Sequence, residues 1–124
     1  MTKKVLIVDD ERNIAISVEF LMQREGFEVT VAHDGEEGLA RIRADQPDLV
    51  LLDVMMPKLN GFEVCEAVRA DPTLAGVRIV MLTAKGRTAE IHKGLALGAD
   101  AYIPKPFSTA ELVAKVNELL NVGS

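Results

Sequence analysis

The chain has 124 residues, 48% apolar and 27% charged, with a formal net charge of −5 and one cysteine. A chain of that size and balance can bury a core of its own in one soluble domain, which excludes a low-complexity or disulfide-stapled protein. Its excess of acid argues against a general polyanion binder, and no segment is apolar enough for a signal peptide or membrane span, so a cytoplasmic location is expected.

Val5-Leu6-Ile7-Val8 is a continuous apolar run, the pattern of a strand covered on both faces, and it ends in Asp9-Asp10-Glu11. A helix follows from about Arg12 to Glu25, with Ile14, Val18, Leu21 and Met22 at helical spacing and Gly26 as its C′ residue. Phe27 to Ala32 alternates, as an edge strand does when one face meets water, and His33 after it is expected in solvent. Asp34-Gly35-Glu36-Glu37 sets an N-cap three residues before Glu37, so these acids are read as capping rather than metal binding. The helix they open turns Leu39 and Ile42 inward and stops before Pro47.

Leu49-Val50-Leu51-Leu52 repeats the buried-strand pattern and delivers Asp53 at its end. Pro57 and Asn60-Gly61 then force a loop. Asn60 and Glu63 have cap and N3 spacing for a helix to about Ala70, on which Phe62, Cys65 and Val68 face inward and Cys65 serves packing. After a turn-rich loop from Asp71 to Gly76, Val77 to Leu82 forms a fourth strand, ending in Thr83-Ala84-Lys85-Gly86. A helix from about Thr88 to Leu97, with His92 in solvent, stops at Gly98. Ala99 to Ile103 is a short fifth strand ending in Pro104-Lys105-Pro106, and the last helix begins at Ser108 with Glu111 in capping-box register. Five strand–helix units in strict alternation specify an α/β fold with a doubly wound parallel sheet, one domain over residues 1–124.

In such a sheet the carboxyl ends of the strands share one edge, where ligands bind. Asp9-Asp10, Asp53, Thr83 and Lys105 stand at these ends, and if the strands are neighbours they converge on one crevice. Three carboxylates against one ammonium leave about −2, a charge that suits an oxygen-bound Mg²⁺. Asp53, alone on the middle strand, is the candidate nucleophile for a phosphoryl group, whose oxygens the metal, Lys105 and Thr83 would share. Thr83 and Lys105 are expected on loops free to move, so that binding the added charge would pull those loops inward and change a distant surface.

Asp9-Asp10, Leu51-Leu52-Asp53-Val54-Met55-Met56-Pro57 with Gly61, Leu82-Thr83-Ala84, Gly98-Ala99-Asp100 and Lys105-Pro106-Phe107 together resemble the receiver domain of two-component response regulators. The order and spacing hold over essentially the whole chain. The resemblance implies a flavodoxin-like (βα)5 sheet in strand order 2-1-3-4-5 and phosphorylation of Asp53 by a phosphohistidine on a sensor histidine kinase or phosphotransfer protein. It implies Mg²⁺ or Mn²⁺ held by Asp10, Asp53 and the Met55 backbone carbonyl, with Asp9 bound directly or through water. Thr83 and the Ala84 N–H would bind the phosphoryl group, Lys105 would pair with it, and Tyr102 would be the aromatic that moves with Thr83. The Lys105–Pro106 bond would be cis. Any catalysis would be limited to the gain and loss of the chain's own phosphoryl group.

Family members that dimerise as transcription factors carry charged cross-pairs on the fourth helix, fifth strand and fifth helix. Glu111 and Lys115 are present here, but Ile91 and Ala101 replace a base and an acid. That weakens the dimer and leaves Ile91, Ala101 and Tyr102 as an apolar patch for an output domain or partner protein. Monomer and phosphorylation-dependent homodimer both stay open, and no direct nucleic-acid binding is expected. By the same resemblance Met55 and Lys85 flank the path of the hydrolytic water, and Met55 offers it no good hydrogen bond, so the phosphoryl group should be longer-lived than in members with polar residues there. Three other functions fit less well. An aspartyl hydrolase would need an acid where Met55 stands, and a flavodoxin-like cofactor binder would need a phosphate-cradling loop where Asp9-Asp10-Glu11 repels phosphate. A constitutive binding module would leave the whole constellation without a use.

Overall fold

The computed structural model describes residues 2–84 and 88–120. Its elements alternate as β1 (Lys4–Val8), α1 (Arg12–Arg24), β2 (Glu28–Ala32), α2 (Gly35–Asp45), β3 (Leu49–Asp53), α3 (Gly61–Arg69), a single 3₁₀ turn (Pro72–Leu74), β4 (Arg78–Ala84), α4 (Thr88–Ala96), β5 (Ala101–Lys105) and α5 (Thr109–Leu120). The strands form one sheet in the order β2-β1-β3-β4-β5, with every pair parallel.

The unbroken apolar runs reflect two separate cores, because neighbouring side chains on a strand point to opposite faces. Val5, Ile7, Leu49, Leu51, Val80 and Leu82 pack with α1 and α5 on one side. Leu6, Val8, Val50, Leu52, Ile79 and Met81 pack with α2 and α3 on the other. On this second side α4 lies close, with the Gly94 backbone against Met81 and Phe62. Each fully buried Leu or Ile contributes about 1.5–3 kcal/mol, so β1, β3 and β4 anchor the sheet from both sides.

Local signals set the boundaries. Gly26, at φ +95, takes the left-handed turn that ends α1. Asp34 Oδ1 accepts from the Glu37 N–H at 2.8 Å, and Glu37 Oε1 accepts from the His33 N–H at 2.7 Å. Asn60 and Glu63 form a reciprocal capping box at 2.9 and 3.0 Å, and Ser108 with Glu111 repeats it at 3.1 and 3.4 Å. Two expectations are corrected by the strand ends. β4 continues through Thr83 and Ala84, and β5 starts at Ala101 and continues to Lys105, because Thr83 pairs with Pro104 and Ala84 with Lys105 in a parallel ladder. Thr83 and Lys105 are therefore held on the sheet rather than on loops.

Candidate functional site

β1 and β3 are adjacent, so the ends of the two most apolar strands lie side by side. Asp9 follows β1, is fully buried and is fixed twice: its N–H donates to the Ala32 carbonyl at 3.1 Å, and its Oδ1 accepts from the Glu11 N–H at 2.9 Å. Asp53 ends β3 and is 5% exposed. A Cβ at position 61 would stand 2.5 Å from the Asp53 carbonyl oxygen, so only glycine lets α3 start this close to the strand. The Gly61 N–H also donates to the Val54 carbonyl at 2.9 Å, closing the loop.

One carboxylate oxygen from each of Asp9, Asp10 and Asp53 lies within 4.8 Å of the others. Asp10 is exposed and opens the cluster to solvent. From the other side, Lys105 Nζ reaches Asp9 Oδ2 at 3.2 Å, Glu11 Oε1 at 3.3 Å and Asp53 Oδ1 at 3.4 Å. Glu11, Asp53 and Lys105 line a crevice of about 610 Å³, together with Met55, Ala84 and Phe107.

The charges are unbalanced. Burial, and then the neighbouring Asp9 charge, push the Asp53 carboxyl up to about 7 despite the opposing pull of Lys105. Burial pulls the Lys105 ammonium down, but Asp53 and Asp9 outweigh it and raise its pKa overall. A divalent cation answers this directly. The donors are all hard oxygens, the net charge is negative, and one acid is open to water, so the residues fit Mg²⁺ or Mn²⁺. Thr83 adds a second sign of a missing partner: it is fully buried, and its Oγ1 makes no hydrogen bond. An unpaired buried hydroxyl is costly, and its position one residue beyond the partner of Asp53 in the ladder suits an incoming oxygen.

Met55 is 69% exposed at the crevice mouth, Ala84 is exposed at the end of β4, and the Lys105–Pro106 peptide is cis. Tyr102 is 40% exposed on β5. Ala101 does not share its surface. Neighbours on a strand face opposite ways, and Ala101, 8% exposed, packs into the α1/α5 core with Ile103. The apolar patch is thus corrected to half-buried Ile91 and exposed Tyr102. His33 is also corrected: it is half-buried, with Nδ1 lacking a hydrogen-bond partner. His92 is exposed. Lys85 lies outside the described residues. Sequence reasoning missed the contact of Glu11 with Lys105, which no local signal announces across 94 positions of chain.

Known proteins carry the same pattern. The family described as response regulator receiver domain matches residues 5–117. The DNA-binding response regulator MtrA of Mycolicibacterium paratuberculosis is 47% identical over 120 residues, covering 97% of this chain and 52% of that protein. The alkaline phosphatase synthesis transcriptional regulatory protein PhoP of Bacillus subtilis is 45% identical over 120 residues, covering 97% of this chain and 49% of that protein. The chain thus spans about half the length of these curated relatives. Among solved structures, a putative response regulator from Chloroflexus aurantiacus superposes with a TM-score of 0.93 at 36% identity, covering 98% of this chain and 99% of that one.

Proposed function

This chain belongs to the response regulator receiver family, whose members switch by phosphorylation, and from that premise we propose that Asp53 is its phosphoacceptor. The observation that carries the reading is the near-complete burial of one carboxylate at the sheet edge, between two further acids and a lysine, beside a hydroxyl without a partner.

An Asp53 carboxylate oxygen attacks phosphorus, the bond to the donor's leaving group breaks, and an acyl phosphate forms on Asp53. Asp9, Asp10, Asp53 and the Met55 carbonyl would hold the Mg²⁺. When bound, that ion supplies the positive charge that offsets the carboxylates and the phosphoryl oxygens. Lys105 places its ammonium at the same carboxylate, and Thr83 Oγ1 with the Ala84 N–H receives the new oxygens. Phosphorylation leaves about −2 at a site that began with −1. Because Thr83 and Lys105 stand on paired strands, the pull is transmitted along β4 and β5 toward the exposed Tyr102.

The donor is a phosphohistidine on a sensor kinase or phosphotransfer protein. The output is a further domain or a partner protein that reads the Ile91 and Tyr102 surface. DNA binding, named for MtrA, would belong to such an output, since this chain carries a net charge of −5. No helix among the described residues is long and apolar enough to cross a membrane.

Incubation with Mg²⁺ and acetyl phosphate, followed by intact-mass measurement, tests the assignment. One phosphoryl group should be gained by the wild type and none by Asp53→Asn. Equal incorporation in both would place the acceptor elsewhere.

A further inference from the structure

The position that opens α1 breaks a local rule. Asp34, Asn60 and Ser108 each accept a hydrogen bond from the backbone at the start of their helices. Glu11 occupies the same place before Arg12 and makes no such bond. Glutamate is also a poor residue there, since Ser, Thr, Asp and Asn reach the first-turn N–H groups and stabilise a helix start. The Glu11 side chain goes instead to Lys105, at 3.3 Å, while remaining 59% exposed. Departures from local preference without local gain tend to mark functional positions.

The reach of that carboxylate matters because an ammonium has three protons. In this structure Asp9, Glu11 and Asp53 surround Lys105 Nζ, one oxygen each. Asp9 and Asp53 belong to the cluster that fits a divalent cation, and Glu11 does not. A metal that draws on Asp9 and Asp53 weakens two of the three holds on Lys105. Glu11 is the hold that lies outside that cluster.

We propose that Glu11 is a positioning residue for the phosphorylation reaction: it keeps one proton of the Lys105 ammonium engaged, so that the flexible lysine stays aimed at Asp53 once the metal occupies its other partners. The inference rests on the assignment of Asp53 as phosphoacceptor. A tether of this kind needs an acceptor oxygen of the right length rather than a charge, so an amide oxygen should serve.

Phosphorylation by acetyl phosphate at saturating Mg²⁺ would be timed for wild type and for Glu11→Ala, Glu11→Ser and Glu11→Gln, with Mg²⁺ affinity and thermal midpoint measured for each. Glu11→Ala and Glu11→Ser should slow the maximal rate about 3- to 10-fold, while Glu11→Gln stays within about twofold of wild type, on an effect of one charge-assisted hydrogen bond. Mg²⁺ affinity should not change. Glu11→Ser should raise the thermal midpoint, because serine can cap α1, so rate and stability move in opposite directions.

Wild-type rates in Glu11→Ala and Glu11→Ser, or faster ones, would overturn the proposal. So would a Glu11→Gln as slow as Glu11→Ala, a fall in Mg²⁺ affinity, or a slowed Glu11→Ser with a lowered midpoint. A wild type that gains no phosphoryl group at Asp53 would instead overturn the assignment beneath it.

Discussion

Replacing Asp53 by Asn should make the metal-free protein markedly less sensitive to pH. The Asp53 carboxyl is pushed up from 3.8 to about 7, chiefly by burial. Between these values the folded chain holds a proton that the unfolded chain has released, so stability falls as pH rises from about 4 to about 7 and then levels. At 1.36 kcal/mol per pK unit the whole cost is about 4 kcal/mol, of which about 2–3 kcal/mol should be lost between pH 5 and pH 8. Asn cannot ionise, so its profile keeps only the slopes of the other groups. Urea unfolding in a chelator, at pH 5, 6, 7 and 8, measures the difference. With a slope of about 1–3 kcal/mol per molar urea, the wild-type midpoint should drop about 0.7–3 M further than the variant's. Mg²⁺ should flatten the wild-type profile, since it favours the charged carboxylate, and leave the Asn profile nearly unchanged. Parallel profiles for the two proteins, within about 0.5 kcal/mol, would refute the claim that Asp53 carries the electrostatic cost of the site.

Three more outcomes are expected. Thr83→Val should leave unfolding of the metal-free protein unchanged or raise it by up to about 1 kcal/mol, because it removes a buried hydroxyl that has no partner; the same variant should lose the conformational change on phosphorylation, read by hydrogen exchange on β4 and β5. Gly61→Ala forces a Cβ against the Asp53 carbonyl and should cost about 1–3 kcal/mol in urea unfolding while slowing phosphorylation, with an unaffected rate contradicting the role given to that close approach. Asp100→Ala should cost about 1–3 kcal/mol, because Asp100 Oδ2 accepts from the Ile79 N–H at 2.8 Å and from Arg69 Nη2 at 2.9 Å, and the Ile79 N–H loses its acceptor while Arg69 keeps its Nε bond to Gly98; an unchanged midpoint would mean that water replaces it freely.

The continuous runs Val5 to Val8 and Leu49 to Leu52 were legible as strands because burial on both faces removes polar alternation, and the caps at Asp34, Asn60 and Ser108 were legible because they act within four residues. What sequence could not convey was the length of β4 and β5. Thr83, Ala84 and Lys105 look like loop residues in isolation, and only the partner strand makes them part of a ladder. Ala101 is different, since alternation along its own strand already separates it from Tyr102. For Glu11 the deciding fact is which residue faces it, and that is a property of the β1/β3/β4/β5 edge rather than of any segment. The same holds for the half-burial of His33.

The two cores also explain why the site tolerates its imbalance. Asp9, Asp53 and Thr83 are the polar or charged residues that are buried among the described residues, and all three sit at one edge. A carboxyl held near neutral pH and a hydroxyl without a partner are each destabilising, and they persist only because β1, β3 and β4 are fixed by apolar packing on both faces. Strand ends fixed in this way cannot relax toward one another to relieve the strain. On the function proposed above, relief would come from outside, as a cation for the carboxylates and an oxygen for Thr83. On the same reading, the free energy released on satisfying both would be available to bias the side chains of Thr83 and Lys105 on their fixed strands, so a rigid sheet would make the acidic edge responsive to what binds there.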